Sequence, residues 1–103
     1  MRFMLTVNMP VEAGNAAAKA GKLTETLRSI LEELKPEAAY FTADKGQRTA
    51  ILILNMDDAS QIPVVAEPWF LGTNAGIELR PVMVIDDLVK AAPEMEAAVK
   101  KYG

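Results

Sequence analysis

Two residue types are missing altogether from this 103-residue chain, cysteine and histidine. Without cysteine there can be no disulfide, thiolate nucleophile, iron–sulfur centre or thiolate zinc site. Without histidine there is no Ser-His triad, no imidazole proton shuttle and no imidazole metal ligand. Any acid–base chemistry must therefore use carboxylates, lysine, tyrosine or a group the chain does not itself supply. Charge of one sign is also scarce: 11 Lys and Arg stand against 14 Asp and Glu, and neither sign is gathered into a run. Nucleic acid and anionic membrane are poor partners for such a surface. Nor is there a long apolar run. Phe3 to Val7 is cut by Asn8 and Pro10, far short of the roughly 20 residues of a membrane span and too short for a signal segment. The composition reads as a soluble cytoplasmic protein of one domain, residues 1–103, with a core of 2–85 and a helical tail of 86–103.

What is present is periodicity that switches between two and 3.6. Phe3, Leu5 and Val7 alternate with Met4, Thr6 and Asn8, which predicts a strand ending at Pro10. From Glu12 the period becomes helical, with Leu23, Leu27, Ile30, Leu31 and Leu34 on one face, a weak point near Gly21 and a stop at Pro36. Ala38–Ala43 and Thr49–Met56 then read as a hairpin turning at Lys45-Gly46. Both alternating sets of Ala50-Ile51-Leu52-Ile53-Leu54 are apolar, so this strand should be covered on both faces. Asp57-Asp58 begins a second helix whose Ile62, Val65, Ala66 and Trp69 face the sheet, with a kink or restart expected at Pro68. A fourth strand is expected over Ile77–Val84, at an edge or bulged because of Pro81. Leu88 to Tyr102 is helical in pattern with a break at Pro93, and Met95, Val99 and Tyr102 form its apolar stripe.

The order βαββαβ predicts an α+β, ferredoxin-like domain: a four-stranded antiparallel sheet with helices on one face, followed by a C-terminal helix. Two helices cover one sheet face. The other keeps half of the two-sided strand and Met4, and leaving several such side chains wet would forgo about 1.5 to 3 kcal/mol each. A homodimer packing sheet to sheet is the expected remedy.

The element order, the Thr49–Met56 strand leading into Asp57-Asp58-Ala59, and the ending Glu78-Leu79-Arg80-Pro81-Val82-Met83 resemble the dimeric α+β barrel superfamily. Within it the chain is most similar to small bacterial domains of unknown function, and more distantly in layout to muconolactone isomerase and cofactor-free monooxygenases. The resemblance implies a dimer and, as in the enzymes of that group, a small-molecule cavity between sheet and helices. Those enzymes often place a histidine or an acid in the cavity, and here no histidine can match.

Site candidates follow from side-chain chemistry. Arg80 is a bidentate anchor for a substrate carboxylate, with Glu78 beside it, or the two form a structural ion pair. Glu67, before Pro68, is a candidate general base or an exposed helix carboxylate. Trp69 and Phe70 would wall an apolar pocket or belong to the core. Tyr40, Thr42, Thr6 and Asn8 could place hydroxyl and amide groups in one cavity if strand register brings them together. The pairs Asp57-Asp58 and Asp86-Asp87 suit a hard cation, but each opens a helix, so they read as caps and no metal is assigned. No cofactor is assigned.

Two functions remain: a dimeric binder or weak cofactor-free enzyme for a small, partly apolar, carboxylate-bearing compound, with Arg80 as anchor and Tyr40 or Glu67 as polar partner, or a non-catalytic dimeric interaction module. An RNA-recognition domain shares the element order but needs aromatics on its central strands. Gly46-Gln47-Arg48-Thr49-Ala50-Ile51 has none.

Overall fold

A computed structural model describes residues 1–103. The chain runs β1 (Arg2–Met9), α1 (Val11–Lys19), α2 (Leu23–Leu34), β2 (Ala38–Asp44), β3 (Gln47–Asn55), a 3₁₀ turn (Ala59–Gln61), α3 (Ile62–Thr73), β4 (Gly76–Pro81) and α4 (Ile85–Tyr102). The strands form one antiparallel sheet in the order β2-β3-β1-β4, the ferredoxin-like arrangement that the element order predicts.

The predicted helix after β1 is two helices. Gly21, at φ 70, takes the left-handed backbone that separates α1 from α2. The hairpin turns where the sequence places it. Lys45 and Gly46 both have positive φ, 54 and 75, as a two-residue turn matched to strand twist requires. β4 ends at Pro81 rather than Val84, and the Val82 amide still donates to the Arg2 carbonyl at 3.1 Å, so Pro81 has its missing amide on the outer edge of the sheet, where no ladder bond is lost.

Both interior prolines depart from expectation. α3 continues through Pro68 and α4 through Pro93, each as a single helix. In α3, Val65 and Ala66 before the proline and Trp69 after it are all buried against the sheet, so packing holds the turns on either side of the lost hydrogen bond. No comparable packing supports α4.

The core lies between the sheet and α2 and α3. Leu5, Val7 and Met9 of β1 and Ala50, Leu52 and Leu54 of β3 meet Ile30, Val65 and Trp69, with Leu27, Leu31, Leu34, Ile77 and Leu79 around them. Trp69 is fully buried, and its Nε1–H has no hydrogen-bond partner in the chain.

α4 stands apart. None of its residues is buried. The molecule measures 60 × 27 × 19 Å, and an 18-residue helix is about 27 Å long, so α4 accounts for much of the longest dimension.

Candidate functional site

Strand register settles which polar residues share a face. Three rows cross the side of the sheet turned away from α2 and α3: Ala38–Ile53–Met4–Arg80, Tyr40–Ile51–Thr6–Glu78 and Thr42–Thr49–Asn8–Gly76. Thr6, Asn8, Tyr40, Thr42, Glu78 and Arg80 therefore lie together on this open face. Ile51, Ile53 and Met4 form its half-buried apolar centre. β3 is thus apolar on both sides as expected, but of its apolar side chains its own chain fully covers only Ala50, Leu52 and Leu54.

The polar end of the face is organised around Thr49, a residue with no distinguishing signal in the sequence beyond its alternation with Ile51. It is almost fully buried, and its hydroxyl lies 3.2 Å from Asn8 Oδ1 and 3.1 Å from the Gln47 carbonyl. The hydroxyl has one proton for these two acceptors, and neither contact uses the Asn8 amide N–H groups. At the opposite edge Arg80 donates from Nη2 to Glu78 Oε2 at 2.7 Å, with both side chains 56% exposed. Of the five guanidinium N–H donors, that bond engages one. The structural ion pair and the capacity for an anion therefore coexist.

Distances across the sheet divide the face. Neighbouring strands sit about 4.8 Å apart, so Tyr40 on β2 is roughly 14 Å from Arg80 on β4. Arg80 and Thr6, on adjacent strands and two residues apart in register, are about 8 Å from each other and can meet one compact molecule; Asn8, two residues farther along β1, is about 14 Å from Arg80. Tyr40, 65% exposed, is at the far edge and cannot touch the same few atoms as Arg80 within one protomer.

The candidates on α3 are elsewhere. Trp69 is core, filling the layer between sheet and helices where the resemblance implied a cavity, and Phe70 and Glu67 are exposed on the helix side. Arg80 and Glu67 thus lie on opposite sides of the sheet, and the expectation that Arg80 and Glu67 share a cavity does not hold. The cause is α3, which packs on the face that Arg80 does not share.

One side chain of each acidic pair caps. Asp58 accepts from the Ser60 amide at 3.0 Å, and Gln61 reciprocates with the Asp57 and Asp58 amides. Asp87 Oδ2 accepts from the Val84 amide at 2.9 Å. No three carboxylates converge where they could hold a metal ion, and no helix is long and apolar enough to cross a membrane. Sequence reading also missed a close approach on the helix side. Arg48 lies so near Gly14 that an added Cβ would sit 2.6 Å from its Nη1, and Nη2 donates to Asn15 Oδ1 at 3.0 Å.

Comparison with known proteins adds a family without an activity. No curated protein sequence matches the chain. Among solved structures, a formyltetrahydrofolate deformylase from Pseudomonas putida KT2440 is similar with a TM-score of 0.48 and 16% sequence identity, over 80% of this chain but only 29% of that one. The model of a family described as a domain of unknown function, DUF3303, matches residues 1–96, and the chain belongs to that family.

Proposed function

We propose that the open sheet face is the working surface, and that it pairs with the open face of a second copy, in the manner of a dimeric α+β barrel, to enclose a small, partly apolar, carboxylate-bearing compound. The observation that supports this is the register: it gathers Arg80, Thr6 and Asn8 beside Met4, Ile51 and Ile53 on a face their own chain leaves half-covered. Arg80 is the carboxylate anchor. Thr6 supplies a hydroxyl one strand away, the Asn8 amide supplies donors farther along β1, and the apolar centre takes the hydrocarbon part. Tyr40 enters the same cavity from the partner, since a two-fold axis brings opposite edges of two sheets together. This set binds better than it catalyses, because no base stands beside Arg80 except Glu78, which is engaged with it.

Native mass spectrometry of freshly purified full chain is the test. The expected species is an even number of chains carrying added small-molecule mass, which Arg80→Gln loses while the assembly persists. Retention of the small molecule by Arg80→Gln would remove Arg80 from the site, and an assembly without added mass would favour a non-catalytic interaction module.

A further inference from the structure

Strand register fixes which backbone groups the two edge strands turn out of the sheet. The Val82 amide bonds the Arg2 carbonyl, so even-numbered residues of β1 bond β4 and odd-numbered ones bond β3. Carried on through β3, the alternation leaves Ala39, Phe41 and Ala43 of β2 facing outward at one edge, and Ile77, Leu79 and Pro81 of β4 at the other. The two edges are guarded differently. β4 lacks an outward donor at Pro81 and carries the charged Glu78 and Arg80, both devices that stop one sheet from adding to another. β2 has neither a proline nor a charge from Ala38 to Ala43. Its outward N–H and C=O groups are a template for one more strand.

The order of residues along β2 identifies that strand. Ala39-Tyr40-Phe41-Thr42-Ala43 is close to symmetric about Phe41. A second β2, laid antiparallel about a two-fold axis at Phe41, sets Phe41 against the partner's Phe41, Ala39 against the partner's Ala43 and Tyr40 against the partner's Thr42. Aromatic–aromatic and aromatic–β-branched pairs stabilise antiparallel neighbours, and no like charges are opposed. The three outward residues then make about six hydrogen bonds, two for each facing pair. Other registers waste the strand. An axis at Thr42 opposes Ala39 to Lys45, which is in the turn at φ 54, and an axis at Tyr40 opposes Ala43 to Glu37, outside the strand.

Side chains on the helix side agree. Ile77 and Leu79 of β4 pack against the core, whereas Phe41 of β2 is 49% exposed. Between Phe41 and α2 lies a groove of about 320 Å³, lined by Thr24, Leu27, Arg28 and Leu31. The partner's Phe41, with its Cα about 5.5 Å from that of Phe41, brings its ring to this groove, and the two-fold returns the contact. Arg28, the one charged residue there, covers the rings with its stem and keeps its guanidinium in water.

We propose that β2 pairs with β2 of a second copy, so that two four-stranded sheets join edge to edge into one continuous sheet. The interface leaves the open sheet face free, and the two interfaces together would assemble four chains.

The chain has no cysteine, so single-cysteine variants of the full chain read the register under mild oxidation. Phe41→Cys should give disulfide-linked dimers, since the facing Cα atoms are within disulfide range. Ala39→Cys and Ala43→Cys should each link poorly alone and well when mixed, because each faces the other. In sedimentation equilibrium, Phe41→Lys and Phe41→Glu should each weaken edge pairing about 100-fold, and their equimolar mixture should restore it. No linkage of Phe41→Cys, linkage of Ala39→Cys alone as strong as in the mixture, or no restoration by the charge mixture overturns the edge pairing and leaves the sheet-face reading standing. Ile51→Glu, on the open face, separates the two readings. Added to Phe41→Cys, it should lower the assembly mass and leave the linkage intact, which supports both; linkage with no change in mass supports the edge pair and overturns the sheet-face pairing. A wild-type monomer at all concentrations overturns both.

Discussion

The two faces of one sheet are built from the same two central strands and treated in opposite ways. On the helix side, Leu5, Val7, Ala50 and Leu52 are completely buried under α2 and α3. On the other, Ile51, Ile53 and Met4 stay half-covered among Thr6, Asn8, Tyr40 and Arg80. The difference is supply, not demand. β3 carries apolar side chains on both sides, but the chain folds helices onto one, and the only element left over, α4, stands away from the domain.

Three substitutions sharpen that contrast, in falling order of effect. Trp69→Ala should cost about 3 to 5 kcal/mol, the usual range for emptying a large buried aromatic site, read from urea denaturation followed by far-UV circular dichroism. Trp69→Phe should cost much less, because it also removes the indole N–H that lacks a partner, a group whose burial costs about 1 to 3 kcal/mol. Next, Leu52→Ala should lose about 2 to 5 kcal/mol at any protein concentration. Its neighbour Ile53→Ala should lose little in dilute solution and more as concentration rises, as the proposed pairing with a second copy requires. Equal, concentration-independent losses at the two positions would erase the distinction between the faces. Last, Arg80→Ala should change stability by less than about 1 kcal/mol, as expected of an exposed ion pair, while abolishing small-molecule retention.

The sequence carried the architecture further than the site. Period-two and period-3.6 segments, Gly21, Lys45-Gly46 and the two acidic caps marked the elements, because each is a local signal written in adjacent residues. Pro68 and Pro93 misled, for a non-local reason in the first case: Val65, Ala66 and Trp69 anchor α3 on both sides of the proline. The site depended on register, which is a property of pairs of strands. Thr6 with Asn8 and Tyr40 with Thr42 were legible as separate pairs, but that all four share a face with Arg80 required Thr6 opposite Ile51 and Ile51 opposite Tyr40. Glu67 and Trp69 fell outside for the same reason, since the side of the sheet on which α3 packs is not written in its own residues. Thr49, whose hydroxyl lies against Asn8 Oδ1 and the Gln47 carbonyl, is an ordinary strand threonine until its neighbours are placed.

The methionines report on both faces at once, which makes hydroxyl-radical footprinting of the full chain the most direct test of the central claim. Met9 and Met56 are buried in the helix-side core, Met83 and Met95 are exposed, and Met4 is on the open face. If a second copy covers that face, Met4 should oxidise as slowly as Met9 and Met56 at high protein concentration and approach Met83 on dilution. Met4 oxidation that stays fast and concentration-independent would contradict the account.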